Sequence, residues 1–191
     1  MLLGIFLSSV NIVSAESIVT QWDYTADGYF SDYIDSSRFG DSFFTYTSNN
    51  GKKLSWGIPT NWFWGPQSSL SLDATTGNID TNGAAASGMK ITHLNGNLIG
   101  VSPTLVWGEV TATLSLTPKL PDISWPTPTP YFDDKLTFGF FETPNTTFDY
   151  DLFVLLTPGL TMQTFVYDGY DYTFQFGGFS QITDLNYLNL V

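Results

Sequence analysis

The sequence predicts an all-β, single-domain protein, a two-layer antiparallel β-sandwich of jelly-roll-like form. Three observations predict it. Aromatic residues make up 17% of the chain and threonine is frequent, which suits pleated, half-buried surfaces. Only three glutamates occur, and no run of Ala, Glu, Lys and Leu repeats at helical spacing. About ten or eleven short apolar or alternating segments are separated by turn residues, the spacing of stacked sheets. The 191 residues are enough for one buried core.

Leu2–Val10 is a short apolar run, too short to span a bilayer. Val13-Ser14-Ala15 follows, with small residues where a signal peptidase cuts. The usual basic start is missing, and the competing reading is a buried first strand. The expected division is a signal peptide, residues 1–15, and one sandwich domain, residues 16–191, secreted to the medium or the cell surface.

Ile18–Tyr24 alternates, with Ile18, Thr20 and Trp22 on one face and Val19, Gln21 and Asp23 on the other. Asp27–Asp41, rich in Asp, Ser, Gly and Tyr, predicts a long loop with short extended pieces. Ser42–Thr47 and Lys52–Trp56 flank Ser48-Asn49-Asn50-Gly51, a hairpin whose turn tolerates positive φ. Ser69–Leu72 is a short strand, and Thr75–Ser87 is a mobile small-residue loop. Met89–Leu94 and Asn97–Val101 form a hairpin around Asn95-Gly96. Glu109–Leu116 alternates cleanly, with Val110, Ala112, Leu114 and Leu116 on one face. Thr117–Pro130 carries five prolines and predicts a crossing loop or an edge. Lys135–Phe141 is the strongest core strand, and Asp149–Leu156 begins acidic and becomes apolar. Thr161–Tyr167 and Tyr170–Phe176 pair across Asp168-Gly169, and Ile182–Leu190 closes the fold.

Composition excludes several functions. Eighteen acids against six bases give a formal charge of −12, which repels phosphate backbones and argues against a nucleic-acid partner. With no cysteine, disulfides, zinc-thiolate sites and thiol nucleophiles are ruled out. His93 is the one histidine, short of the two or three that zinc catalysis normally uses, and no Gly-x-Ser-x-Gly elbow accompanies it. Glu109 and Glu142, each near a strand end, are the acids available for glycoside hydrolysis. Thr92, His93 and Asn95 beside the Asn-Gly turn are read as hydrogen-bonding partners that pin the hairpin. Trp62 and Trp64, two apart on an extended segment, share a face and with Trp125 offer a platform for sugar rings; the alternative is a lid over the core. Asp149 and Asp151 on one face, and Asp168 and Asp171 around a turn, are the candidate ligands for Ca2+, although none follows an Asp-x-Asp-x-Asp-Gly loop. Asn145-Thr146-Thr147 is a formal glycosylation acceptor, read here as an Asx turn.

Several blocks then fall into a familiar order. They are Leu54-Ser55-Trp56-Gly57, Thr92-His93-Leu94-Asn95, Leu136-Thr137-Phe138, Phe141-Glu142-Thr143-Pro144-Asn145, Asp151-Leu152-Phe153-Val154-Leu155 and Phe165-Val166-Tyr167-Asp168-Gly169. From Trp22 to Leu188 the chain resembles the THxN family of PEP-CTERM proteins, exported bacterial proteins sorted or released by an exosortase system. The resemblance implies an extracellular β-rich domain and carries over no catalytic residues. The sequence stops at Leu190-Val191 without the family's Pro-Glu-Pro motif, apolar helix and basic tail. Either the chain is truncated or this member is not sorted by an exosortase; secretion without a stable transmembrane anchor is expected.

The first functional expectation is a non-enzymatic envelope, extracellular-matrix or adhesion protein that self-assembles by strand addition. The second is a module that binds extracellular polysaccharide through Trp62, Trp64 and Trp125. A secreted hydrolase is the third.

Overall fold

A computed structural model describes residues 17–37, 44–61, 64–126, 128–143, 151–157 and 162–175. Among these, eleven strands and no helix occur: β1 (Gln21–Asp35), β2 (Tyr46–Ser48), β3 (Lys53–Trp56), β4 (Ser68–Asp73), β5 (Thr75–Asp80), β6 (Lys90–Leu94), β7 (Leu105–Leu120), β8 (Tyr131–Phe141), β9 (Leu152–Leu155), β10 (Met162–Tyr167) and β11 (Tyr170–Gln175). The expected signal peptide, Asn145-Thr146-Thr147 and the strand at Ile182–Leu190 lie outside the described residues.

The strands form a five-stranded antiparallel sheet in the order β5-β1-β7-β8-β9, a four-stranded antiparallel sheet in the order β2-β3-β4-β6, and the β10-β11 hairpin. The all-β sandwich-like class is therefore as the composition predicts. The main core lies between the two larger sheets. Phe30, Val110, Ala112, Leu136, Phe138, Phe140 and Phe153 come from one, and Leu54, Trp56, Leu70 and Leu72 from the other. Alternation selects them: Val110 and Ala112 leave Glu109 and Thr111 on the opposite side of β7.

A second cluster forms where β10-β11 covers the far end of β1 and β7. Trp22 meets Phe165, Tyr167 and Tyr172 edge-on, with centroids 5.8, 5.4 and 5.1 Å away. The Val19 amide donates to the Tyr172 hydroxyl at 2.8 Å. Val19 is consequently buried together with Trp22 while Ile18 is exposed, so the predicted alternation breaks at the start of the segment, where residues 18–20 precede the regular strand.

Four segments depart from expectation. Asp27–Asp35, predicted as loop, continues β1 and pairs with β7. Gly28 is needed there because a Cβ would sit 2.8 Å from the Thr111 carbonyl oxygen and the Met89 sulfur. Thr75–Asp80, also predicted as loop, is the edge strand β5 beside β1. The Asn95-Gly96 hairpin does not form: β6 pairs with β4, while Leu98 bridges to Pro59 and the Ile99 amide donates to the Ile58 carbonyl. The proline-rich connection begins later than predicted, because β7 runs to Leu120 and places Pro118 beyond its pairing with β8. The turns at Asn49-Asn50-Gly51 and Asp168-Gly169 do take the predicted positive φ, 53°, 55° and 78°, and 47° and 78°.

Candidate functional site

The two sheets meet at one end around a histidine and two acids. Leu54, Leu70 and His93 stand in one row across β3, β4 and β6, and Trp56 and Ser68 stand opposite each other in the next. All face inward. On the other sheet Leu136, Phe138 and Phe140 face inward from β8, and Glu142 lies two residues past Phe140. Asp151 lies two residues before the inward-facing Phe153. Each acid thus keeps the inward parity of its own strand just beyond the strand's end.

Ligating atoms of His93, Glu142 and Asp151 all lie within 4.8 Å of one another. The side chains of His93 and Asp151 are only 2% and 1% exposed. Glu142 Oε2 accepts from the Trp56 indole at 2.6 Å, and Oε1 accepts from the Ser68 hydroxyl at 2.7 Å. The Gly96 amide in turn donates to Ser68 Oγ at 3.0 Å. Asp151 Oδ1 accepts from the Thr143 amide at 2.8 Å and its hydroxyl at 3.1 Å. Two rings pack on His93: Trp56 lies parallel to it at 5.9 Å and Phe140 meets it edge-on at 5.2 Å.

The opposite sides of these groups are bare. Among the described residues, neither His93 ring nitrogen has a hydrogen-bond partner, nor have Asp151 Oδ2 and Asn95 Oδ1. His93 Nε2 and Asp151 Oδ2 stand 3.7 Å apart, too far for a hydrogen bond. Burial pushes the Glu142 carboxyl up to about 7, against the donors Ser68 and Trp56 and with a further push from Asp151. Burial also holds His93 below its ordinary 6.5, against the pull of Asp151. A cleft of about 200 Å³, lined by Leu98, Ile99, Gly100, Ser102 and Thr104 together with Glu142 and Thr143, opens beside the cluster.

The predicted residues fare differently. His93 does not pin a hairpin by hydrogen bonds, because the hairpin is absent and its nitrogens face the acids. Thr92 points away from the core beside Ser71. Gly96 is a close-approach glycine, where a Cβ would meet the Pro66 carbonyl oxygen at 2.5 Å. Trp62 and Asp149 lie outside the described residues. Trp64 is 87% exposed, on the loop whose Pro59 bridges to Leu98 of the cleft. Trp125 does not join it: its indole donates to the Pro121 carbonyl at 3.1 Å, and the ring packs on the second cluster against Tyr167. Asp168 lies in the β10-β11 turn and Asp171 in β11 opposite Val166, and neither is part of the three-residue cluster. Glu109 faces outward, where Lys135 at 2.7 Å and then Ser31 at 2.9 Å hold its carboxyl below the usual range, so it forms no pair with Glu142. Trp56 and Ser68 complete the site, and no local spacing in the sequence marks them as site residues.

No protein-family model matches the chain, and no curated protein is significantly similar to it.

Proposed function

We propose that this chain is a secreted or cell-surface, non-enzymatic β-sandwich with an envelope, matrix or adhesion role, exercised through association between copies. The observation that carries this reading is an apolar outer face on the five-stranded sheet. Register aligns Ile34, Trp107, Gly139 and Val154 in one row, and Phe141 and Leu152 in the next. Ile34, Phe141, Leu152, Val154 and Leu156 are 57%, 71%, 44%, 42% and 49% exposed. Clustered apolar exposure of this kind marks an interaction surface. β9 is also the last strand of its sheet among the described residues, an edge suited to strand addition. The apolar leader and the resemblance to the THxN family support export. The burial of His93 and Asp151 supports a structural rather than a reacting centre, since a substrate in the cleft meets only Glu142 and Thr143 of the acidic side. Light scattering across a concentration series is expected to show reversible association that Val154→Lys with Phe141→Ser abolishes. Wild-type particles that stay monomeric throughout would exclude the reading.

Polysaccharide binding is the second reading, favoured by the strongly exposed ring of Trp64. A stacked sugar is expected to lose about tenfold in affinity in Trp64→Ala on a glycan array, in line with an aromatic contact of roughly 1.4 kcal/mol. Equal binding by both forms removes this reading.

A further inference from the structure

We propose that His93, Glu142 and Asp151 together bind one divalent transition-metal ion of the zinc and manganese class, which braces the two sheets. The inference is independent of the association reading above. It rests on three features of the cluster.

The first is the pattern of partners. Each carboxylate is anchored from behind: Glu142 by Ser68 and Trp56, Asp151 by Thr143. Such outer donors fix ligand orientation in metal sites. Asp151 turns its one unpartnered oxygen toward His93, whose two nitrogens are unpartnered as well. Buried polar atoms are normally satisfied, and a neutral imidazole carries both a donor and an acceptor. Metal ligation uses the histidine nitrogen and the carboxylate oxygen that nothing else among the described residues uses.

The second is distance. Ligands bound at about 2.0–2.2 Å in a tetrahedral arrangement lie roughly 3.4 Å from one another. The three ligand atoms, already within 4.8 Å, reach that spacing by side-chain movement of roughly an ångström. Asn95, two residues from His93 and just past the end of β6, carries the other buried oxygen without a partner among the described residues.

The third is donor chemistry. One imidazole and two carboxylates suit zinc, manganese or iron. Calcium takes six to eight oxygens, and the nitrogen at the centre of this set disfavours it. The ligands come from β6, from the residue after β8 and from the residue before β9, so one ion ties the four-stranded sheet to the five-stranded sheet. The cleft at Glu142 supplies an entry path.

The test uses the full chain without a histidine tag, stripped with chelator and dialysed, then titrated with Zn2+, Mn2+ and Co2+. Calorimetry is expected to show one site per chain for at least one of these ions, with a melting-temperature rise of several degrees. Because His93 is the only histidine, its imidazole proton resonances report directly on the site and are expected to shift at one equivalent. His93→Gln and Asp151→Asn are each expected to weaken binding about a hundredfold. Should either variant fail to fold, the wild-type resonance shift decides alone. Folded wild-type protein that binds none of the three ions at one equivalent overturns the proposal. Binding that leaves the His93 resonances unmoved, or that survives unchanged in both folded variants, overturns it equally.

Discussion

Replacing Trp56 with alanine is expected to destabilise the protein by about 4 kcal/mol, the range for removing a large buried aromatic. Trp56 is fully buried and is the largest side chain in the main core with almost no exposure. It packs edge-on with Phe140 at 5.0 Å and parallel to His93. Its indole also satisfies Glu142, and a buried acceptor stripped of its donor costs roughly 1–3 kcal/mol. Trp56→Phe separates the two contributions. It keeps most of the ring and loses the N–H, so about 1–3 kcal/mol is expected. Urea unfolding of both variants measures the difference. A Trp56→Ala loss below about 1 kcal/mol would contradict the described packing.

The second large effect is a fall in stability as the pH rises past Glu142. Its folded-state value of about 7 lies above the ordinary 4.5, so the folded chain holds the proton more tightly than the unfolded chain. The contribution is complete below pH 4.5 and is lost as the pH climbs through 7. The full shift corresponds to about 3 kcal/mol, reduced to about 2 kcal/mol because the carboxyl partly faces the cleft and is screened there. His93 acts in the opposite sense: held below 6.5, its contribution is complete above that value and fades as the pH falls through the lowered one. Glu142→Gln removes one titration and leaves the other. In chelator, the stability of wild type relative to that variant is expected to fall by about 2 kcal/mol between pH 4.5 and 7. Parallel stability curves for the two proteins would show that the carboxyl is not desolvated as described.

Local pattern carried much of the architecture. The alternation from Glu109 to Leu116 and the apolar Lys135–Phe141 gave the two central strands, and Asn50-Gly51 and Asp168-Gly169 gave the turns. Two strand segments read as loops in the sequence. β5 is polar because it is an edge strand beside β1, and Asp27–Asp35 looks like a loop because its Gly28 answers to Thr111 and Met89 rather than to a turn. Asn95-Gly96 misled for the same reason: its glycine makes room for the Pro66–Ser68 backbone. The buried cluster follows no local spacing. It was nonetheless partly legible in parity, since Ile91 and His93, Phe140 and Glu142, and Asp151 and Phe153 each share a side of their segment. What no single segment discloses is that the three inward positions converge at one end of the core.

The fifteen residues of β1 and the sixteen of β7 run side by side through both hydrophobic clusters. Neither cluster owns its half of that ladder. Loss of packing around Trp22 frays the same two strands that support Phe30 and Val110, so damage at one end is transmitted to the other. A lesion under the β10-β11 hairpin is therefore expected to weaken the grip on His93 at the opposite end without touching it, as one shared unfolding transition would show.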